Sequence, residues 1–423
     1  MLSLLVACGE DPAPAGPPAP SPESGVDAGP SNDDGGADSG PDASSEGLVG
    51  LGRVVRKTML ALSTDRRKVY GWGANTHNVF RTASVPFDFD HPVNMDIAGV
   101  PDEPFRAVLS TGAKTCLLTE AGRVLCFGQT LAQDSLGVGD AEGRLTATPL
   151  AAGDIPANVK IVGIDLHGYG GCVVGDDGEA YCWGDFHRVP GADSSNGTVT
   201  APHRISRTGI GDAKIVDVTT GINESCVLAG GRAYCWFNGD AEPVADGELP
   251  FGTDLLQVRS NDDFVCGAAS DGEIYCWGSG PGRRFGNGSA DFRSDTPYTR
   301  VSRANLPDGV TFKDVAVGGT SSASCGIGSD GWAYCWGTGD QGAAGDDDTS
   351  DHEVLTPKPI VRGDIPEGVT IVRIGCGTYH CTAEGSDHVM YSWGMNEDGV
   401  LAASLPRDAM VGRPVRMTAP RIE

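Results

Sequence analysis

Residues 272–280 read GEIYCWGSG, and the cysteine, tryptophan and glycine at their centre recur in modified form along the chain. Seven copies of the pattern occur, and the aromatic residues that mark them lie 41 to 59 residues apart. A period of this size over almost the whole chain indicates a repeat architecture in which each unit packs on its neighbours. The seven marker residues are Trp72, Phe127, Trp183, Trp236, Trp277, Trp336 and Trp393.

One repeat unit shows the secondary structure to expect. From residue 356 it reads TPKPIVRGDIPEGVTIVRIGCGTYHCTAEGSDHVMYSWG. A short strand follows Thr-Pro, a β-branched run follows a polar turn, and two more strands flank a second turn. Four short strands without helical periodicity predict an antiparallel meander. Seven such units predict an all-β fold, a seven-bladed β-propeller of four-stranded antiparallel blades over residues 48–423.

The cysteines follow the same repeat. Ten of the thirteen form pairs nine or ten positions apart, and each pair brackets one tight turn. In the shorter pair the turn itself is shorter, so the cysteines stay opposite each other. Opposed residues of an antiparallel pair lie within disulfide range, and each bond would contribute about 2–3 kcal/mol. The alternative is a set of buried free thiols. The predicted hairpin disulfides are Cys116–Cys126, Cys172–Cys182, Cys226–Cys235, Cys266–Cys276 and Cys325–Cys335.

The first and last repeats lack this cysteine pair. Met59 and Gly71 stand where the cysteines of the first repeat are expected, and Ser392 stands opposite Cys381 in the last. The remaining partner for Cys381 is Cys376, which predicts a local disulfide. The alternative is a metal site in which the histidine between these two cysteines joins their thiolates.

The two ends of the propeller segment indicate how the ring closes. The C-terminal sequence GRPVRMTAPRIE resembles the opening strand of a further repeat, whereas LVGLGRVV at 48–55 has no Thr-Pro strand ahead of it. We therefore expect the C-terminal strand to complete the first blade. Closure of this kind would leave no long exposed sheet edge.

The N-terminal residues indicate export. Residues 1–8, MLSLLVAC, end like the lipobox of a bacterial lipoprotein signal, which predicts a lipid on Cys8. None of the residues before this cysteine is basic, so the interpretation places the true start upstream; the alternative is a chance apolar N-terminus. Residues 9–47 are rich in Pro, Gly, Ala and Ser, with nine acids and no Lys or Arg. They predict a disordered acidic tether.

The charge of the chain limits its partners. A formal net charge of −26, from 57 acidic and 31 basic residues, disfavours nucleic acid and anionic membrane surfaces. Outside the N-terminus, no stretch approaches the roughly 18 apolar residues of a spanning helix. The lipid on Cys8 is thus the expected membrane attachment. We expect an extracytoplasmic monomer held at the outer membrane or cell surface.

Three local matches carry a resemblance to a known family. They are CVVGDDGEAYCWG at 172–184, CGAASDGEIYCWG at 266–278 and CGIGSDGWAYCWG at 325–337. These segments resemble the repeat of the regulator of chromosome condensation family, whose members form seven-bladed propellers. The resemblance departs after the Trp-Gly, where the family favours Asn and a Gly-Gln-Leu-Gly turn. It implies a fold and no single activity, since members include a nucleotide-exchange factor and an enzyme inhibitor.

The sequence carries no recognised catalytic or cofactor motif. G-x-S-x-G, Walker-type and H-E-x-x-H patterns are lacking, no G-x-G-x-x-G stands in the strand-to-helix context of a dinucleotide site, and the eight histidines share no position in the repeat. The Ser-Asp-Gly turns resemble the Asp-box of sialidase propellers, but the Thr-Trp of that motif is missing. The acidic run at 345–353 lacks the turn glycine and closing glutamate of a calcium loop. We expect no catalysis, no cofactor and no bound metal.

The segments after each Trp-Gly are the candidate recognition loops, because they differ most between repeats. Within one of them, Arg283, Arg284 and Phe285 predict an exposed cation and aromatic pairing of the kind enriched in protein interfaces. The alternative is a plain surface loop. The longest segments of this class are 185–200, 279–295 and 338–355.

Together these observations favour a non-catalytic binding module at the cell surface, whose partner is an unidentified envelope protein or glycan. Two other hypotheses are an envelope enzyme acting on carbohydrate and an inhibitor of a secreted or wall-associated enzyme. Turnover of glycans would support the first alternative. Stoichiometric loss of a target enzyme's activity would support the second.

Overall fold

The computed structural model confirms the seven-bladed β-propeller. It describes the backbone at 48–49 and residues 58–74, 88–95, 97–130, 135–185, 189–192, 197–221, 224–236, 239–261, 264–319 and 323–418. The predicted lipid site Cys8 and the predicted tether at 9–47 lie outside these residues. No helix in the described ranges is long and apolar enough to cross a bilayer.

Each blade is a four-stranded antiparallel meander whose strands pair in sequence order. Blade 1 contains β1 (Leu48–Val49), β2 (Thr58–Ser63), β3 (Val69–Ala74) and β4 (Asp88–Asn94). Blade 2 contains β5 (Phe105–Ser110), β6 (Lys114–Thr119), β7 (Val124–Gly128) and β8 (Arg144–Pro149). Blade 3 contains β9 (Ile161–His167), β10 (Gly170–Gly175), β11 (Ala180–Asp185) and β12 (Thr198–Arg204). Blade 4 contains β13 (Ile215–Thr220), β14 (Ser225–Ala229), β15 (Arg232–Trp236) and β16 (Glu242–Pro243).

The last three blades also carry short 3-10 turns after their third strands. Blade 5 contains β17 (Arg259–Asn261), β18 (Phe264–Ala268), β19 (Ile274–Gly280), a turn at Gly282–Phe285 and β20 (Arg293–Arg300). Blade 6 contains β21 (Phe312–Ala316), β22 (Ala323–Gly328), β23 (Ala333–Thr338), a turn at Asp340–Gly342 and β24 (Glu353–Pro359). Blade 7 contains β25 (Ile371–Cys376), β26 (His380–Gly385), β27 (Met390–Met395), a turn at Glu397–Gly399 and β28 (Met410–Arg416).

The cysteine and the tryptophan of the triplet face opposite neighbours, because successive side chains of a strand alternate between its two faces. In blade 5, the disulfide of Cys276 packs in the core shared with Trp336 of blade 6. Trp277 packs instead against the disulfide of blade 4, with its indole nitrogen 3.3 Å from the Sγ of Cys235. Each seam between these blades is therefore a disulfide against an aromatic ring.

The disulfides join directly opposed residues of the second and third strands. Cys266 pairs in register with Cys276, and the same register holds the other four hairpin pairs. Their Cα atoms lie 4.0–4.2 Å apart. A sixth disulfide joins Cys376 to Cys381. The structure thus contains the five hairpin disulfides that the spacing of the cysteines predicts and the local disulfide expected between the two remaining cysteines.

This pattern gives a simple expected result on the purified protein. Denatured but non-reduced protein should leave the twelve cysteines of the propeller unmodified by an alkylating reagent, since all twelve are in disulfides. Reduction before alkylation should add twelve adducts, counted by intact mass. Alkylation of ten or more propeller cysteines without reductant would contradict the disulfides.

The glycine of the triplet is required by the backbone. Gly128 has a φ of +119°, and a Cβ at this position would lie 2.6 Å from the Cα of Lys114 on the neighbouring strand. Gly184 and Gly394 repeat this arrangement with φ values of +113° and +106°. An L-amino acid with a side chain fits neither the dihedral nor the space.

The Ser-Asp-Gly turns are structural units. In blade 5, Asp271 accepts hydrogen bonds from the backbone amide of Glu273 and, at 2.7 Å, from the hydroxyl of Tyr275. Burial and the adjacent carboxylate raise the pKa of this tyrosine. Equivalent bonds in three other blades are Tyr181 to Asp177, Tyr334 to Asp330 and Tyr391 to Asp387. The turn aspartates are thus held by the tyrosine that precedes the triplet, which explains why the two recur together.

The prediction that the C-terminal strand completes the first blade is wrong. β28 pairs with β27 as the fourth strand of blade 7, and blade 1 has its own four strands. The Thr-Pro strand ends the preceding blade, as β24 does for blade 6, instead of opening its own. The ring closes by packing: the indole of Trp72 donates to the carbonyl of Val400 at 2.9 Å, within a core that includes Met417.

The end blades also differ from the predicted register by one residue. Gly71 lies opposite Leu60, and Met59 lies opposite Trp72. Ser392 lies opposite Thr382, whereas Cys381 lies opposite Trp393 and, on the other side, opposite Cys376. The sixth disulfide therefore joins the first and second strands of blade 7. It faces blade 6, where the Sγ of Cys376 is 3.6 Å from that of Cys325.

The bend that carries the sixth disulfide holds a buried histidine. Two per cent of His380 is exposed, and its Nε2 lies 3.3 Å from the sulfur of Met59 across the seam between blades 7 and 1. Burial alone lowers the pKa of this imidazole to about 4. Because Cys376 and Cys381 are joined to each other, they offer no thiolate pair for the alternative metal site.

Candidate functional site

The first strands of the blades enclose a cavity of about 420 Å³ on the propeller axis. Its walls come from the first strands of blades 2 to 7, and the lining mixes apolar residues such as Val108, Ile164, Val218 and Val315 with polar and charged ones. Cavities of this size and lining are common ligand sites in proteins. The axis is therefore the natural place to look for function.

Charged side chains inside the cavity form a connected network. Asp217 accepts a hydrogen bond from the guanidinium of Arg259 at 2.8 Å and another from the amide of Val258 at 3.1 Å. Gln257 bridges this pair to the next blade, since it accepts from Arg259 at 3.1 Å and donates to Asp314 at 2.7 Å. These contacts tie the inner strands of blades 4, 5 and 6 together.

A third carboxylate, that of Asp165, is buried in the wall of the cavity. Asp165 accepts hydrogen bonds from the hydroxyl of Thr219 at 3.1 Å and from the amide of Thr220 at 2.7 Å, both in blade 4. Thr219 also reaches Ser260 of blade 5 at 2.9 Å. The three channel carboxylates therefore already serve as acceptors between blades, and this arrangement positions strands.

A second feature surrounds the mouth of the channel where the first strands begin. In five of the first strands, those of blades 2, 3, 4, 6 and 7, one residue is skipped in the pairing with the second strand, a β-bulge. In blade 4, for example, Ile215 pairs with Ala229 and Asp217 with Leu228, which leaves Val216 unpaired. Bulges re-aim a side chain out of the sheet. Leu256 takes the equivalent position in blade 5, since it follows Leu255, which bridges to Ala269 ahead of β17. We call these residues together the collar: Arg106, Val162, Val216, Leu256, Lys313 and Val372.

Four collar residues are apolar and exposed. Exposure is 40% for Val162, 61% for Val216, 63% for Leu256 and 46% for Val372. The first three occupy consecutive blades, and we call them the apolar arc of the channel mouth. Single exposed apolar residues are normal on protein surfaces, but a cluster at symmetric positions marks an interaction site.

Cations surround this arc. Arg106 and Lys313 are the collar residues on the blades either side of it, and Lys160 and Lys214 lie two residues before its valines. The aliphatic stems of these two lysines pass over the turn glycines of the preceding blades, Gly122 and Gly178. A Cβ at Gly122 would lie 2.8 Å from the Cβ of Lys160, and a Cβ at Gly178 would lie 2.9 Å from the Cγ of Lys214. The stem of each lysine therefore packs on the neighbouring blade.

The cations of the arc are weakly neutralised. Arg106 lies 3.5 Å from Glu120, but Arg66 shares that carboxylate at 3.2 Å. The ammonium of Lys313 donates to a backbone carbonyl at 3.0 Å. Within the described ranges, Lys160, Lys214 and Lys313 pair with no carboxylate. One acid, Asp254, takes the position in blade 5 that lysines occupy in blades 3 and 4.

The opposite end of the propeller carries the connections between third and fourth strands, since connections of a meander alternate between its two ends. Here the exposed pairing predicted for Arg283, Arg284 and Phe285 is wrong for two of the three residues. Arg284 and Phe285 are buried, with the guanidinium 4.7 Å from the ring centre of Phe264. Arg283 bonds Thr338 at 2.9 Å and forms an ion pair with Glu353 at 2.7 Å.

The physical reason is that these 3-10 turns hold the next blade. The carbonyl of Arg284 accepts the indole proton of Trp336 at 2.8 Å, and the carbonyl of Ala343 accepts that of Trp393 at 3.1 Å. The bond from Trp72 to Val400 at 2.9 Å is the third member of this set. Binding at Arg283 remains a prediction, whereas Arg284 and Phe285 pack in the seam between blades 5 and 6.

The acidic run at 345–353 forms a local ion-pair cluster. Asp346 contacts the imidazole of His352 at 3.2 Å and the ammonium of Lys358 at 3.3 Å. Asp348 accepts both the amide and the hydroxyl of Ser350, a hydrogen-bonded turn. Although desolvation opposes it, the neighbouring carboxylates and a backbone carbonyl raise the pKa of His352. These contacts support the interpretation of a surface loop.

Comparison with known proteins relates the chain to one repeat family. The sequence model of the regulator of chromosome condensation (RCC1) repeat matches residues 330–383. The chain is 35% identical over 83 residues to the ultraviolet-B receptor UVR8 of Arabidopsis thaliana, which is 20% of this chain and 18% of the receptor. It is 28% identical over 286 residues to the human E3 ubiquitin-protein ligase HERC2, which is 63% of this chain and 6% of the ligase. The matches thus span less than a fifth of these relatives.

Solved structures agree on the fold. Prp20p from Saccharomyces cerevisiae, the yeast RCC1, has a TM-score of 0.67 at 17% identity, with 87% of each chain covered. Human WBSCR16 has a TM-score of 0.67 at 16% identity, with 83% of this chain and 94% of that chain covered. At such identities the likeness shows the architecture alone.

Proposed function

We propose that this protein, a seven-bladed β-propeller of RCC1 repeats, is a non-catalytic interaction module that works outside the cytoplasm and docks a partner on its collar. The observation that carries the proposal is the collar, which exposes four apolar side chains at equivalent positions of the ring. A propeller held by six disulfides is a rigid support for such a surface.

Two further observations support this function. The channel carboxylates, the groups best placed for acid–base chemistry, already accept hydrogen bonds that join neighbouring blades. The fold relative Prp20p is a binding protein, described for its binding properties to Gsp1p and histones. We infer recognition without catalysis for this chain, with a partner of its own.

The disulfides support the proposed location. Twelve of the thirteen cysteines are paired in the structure, which is compatible with an oxidising compartment outside the cytoplasm. The thirteenth, Cys8, is the proposed lipid-bearing residue. Attachment through this lipid would leave the propeller at the end of the 9–47 segment, in reach of envelope proteins or glycans.

Site-specific photocrosslinking on intact cells tests the docking surface. A photoreactive phenylalanine analogue at Val216 should capture a partner, whereas the same residue at Tyr169, on the connection at the other end of the channel, should not. Both positions are exposed, so they control for reactivity. Capture only from the Tyr169 position, or from neither, would reject the collar as the docking surface. Turnover of a glycan by the purified protein would reject the non-catalytic role.

A further inference from the structure

The collar combines two chemistries that define its partner. An apolar arc of Val162, Val216 and Leu256 spans three consecutive blades, and two of its members are more than 60% exposed. The cations Lys160 and Lys214 lie beside this arc without a carboxylate partner in the described part of the chain. A complementary surface has apolar side chains at its centre and carboxylates at its flank.

The background charge makes this local excess informative. The chain has a formal net charge of −26, yet several cations meet at the channel mouth. An isolated ammonium group in an acidic protein costs nothing when it is solvated. Three of them, on Lys160, Lys214 and Lys313, lie around one apolar arc, where the carboxylate of Asp176 accepts the backbone amide of Lys160 at 3.0 Å and offsets part of their charge. Asp254 beside Leu256 makes the blade 5 end of the arc less positive than the blade 3 end. The acidic groups of a partner are therefore expected nearer blade 3.

We propose that the collar binds a protein segment with two to four apolar residues flanked by Asp or Glu on the side that meets blades 2 to 4. The apolar residues pack on Val162, Val216 and Leu256, and the carboxylates pair with Lys160, Lys214 and Arg106 at the outer edge of the arc. This inference rests on the proposed function, because it names the partner chemistry of the same surface.

The two other occupants are disfavoured by charge. An anionic membrane surface would meet cations at the collar but the field of an acidic protein elsewhere. A second copy of this chain would bring its own collar cations toward the first, which repels a symmetric contact. A peptide with local acidic flanks meets neither penalty.

Peptide binding in solution tests the proposal. The probe is a fluorescein-labelled peptide of about ten residues with a Leu-Val-Leu-Phe centre and two Asp on each side, measured by anisotropy with the full chain. We expect saturable binding that weakens several-fold when salt rises from 50 to 300 mM, because exposed ion pairs are screened. A peptide with Asn in place of Asp should bind about tenfold more weakly.

Matched variants locate the site. The double change Lys160→Glu and Lys214→Glu should lower affinity about tenfold, whereas Lys358→Glu with Arg413→Glu, which alters net charge equally on outer strands, should not. Val216→Ser with Leu256→Ser should also weaken binding. Leu145→Ser with Met410→Ser, two exposed apolar residues on fourth strands, is its control. Thermal unfolding of each variant separates lost binding from lost folding.

The outcomes distinguish this inference from the proposed function. Equal binding of the Asp and Asn peptides, or equal effects of collar and control variants, would overturn the acidic-segment proposal while capture at Val216 still supported a docking surface. Binding of the chain to phosphatidylglycerol vesicles that depends on Lys160 and Lys214, without peptide binding, would assign the collar to a membrane instead. Dimers that dissociate in the Val216→Ser variant would assign it to self-association.

Discussion

Replacing Trp72 with alanine should lower the free energy of unfolding by about 3–5 kcal/mol, the range for a fully buried aromatic residue. Its side chain is inaccessible to solvent, and its indole donates to the carbonyl of Val400 at 2.9 Å. That bond joins the last blade to the first, so the variant removes both packing and a hydrogen bond from the seam that closes the ring. A buried carbonyl without its donor adds about 1–3 kcal/mol to the loss.

Denaturant unfolding followed by circular dichroism measures this effect. Trp72→Phe keeps most of the apolar volume and removes the donor, so we expect it to lose less than Trp72→Ala. Trp332→Ala is a control, because this tryptophan lies half-buried at a hairpin turn with Arg362 4.6 Å over its ring. A loss at Trp72 no larger than at Trp332 would show that the closing seam carries little of the stability.

The Trp72 result bears on what a repeat sequence can reveal. The seven tryptophan or phenylalanine markers and the spacing of the cysteines predict blade number and hairpin register, because both depend on local strand pairing. The phase of the repeat, meaning which strand opens a blade, is not predicted in this way, because any starting point in a period describes the same sequence. Only the pairing of β24 with β23 and of β28 with β27 shows that the Thr-Pro strand ends a blade.

The register of the end blades illustrates a second limit. Blade 1 has a longer connection between its second and third strands, so that Gly71 pairs with Leu60 instead of Met59. In blade 7, Cys381 stands one position earlier on the second strand than the cysteines of the other blades, and it therefore lies on the other face of the sheet. A one-residue shift changes which neighbour a side chain meets, and sequence spacing alone does not fix it.

The candidate site was the least predictable part. The collar residues follow a buried residue directly, as in Ile161-Val162 and Ile215-Val216, and adjacent β-branched residues read as an ordinary strand. Two neighbours of a strand face opposite sides, so such doublets at equivalent positions were the available signal. Arg284 and Phe285 illustrate the opposite error. Their segment reads as an exposed polar loop, but the next blade packs on it and buries both side chains.

The stability of the propeller should fall as the pH drops from about 6.5 to about 4, and His380 should account for up to about 3 kcal/mol of the fall. Burial lowers the pKa of this histidine to about 4, from an ordinary value of 6.5. Between these values the unfolded chain binds a proton that the folded chain excludes. The stabilisation is therefore fully present above pH 6.5, decreases through this window and is lost below pH 4.

The variant His380→Asn isolates this contribution from that of the many carboxylates. Its free energy of unfolding, measured by urea titration at half-unit steps from pH 4 to 7, should depend less steeply on pH than that of the natural protein. His388→Asn is the matched control, since His388 is exposed at the next turn of the same hairpin. Because the ring of His380 contacts Met59 across the closing seam, its protonation should weaken the same junction as the loss of Trp72. Parallel pH profiles for His380→Asn and the natural protein would contradict the lowered pKa of this imidazole.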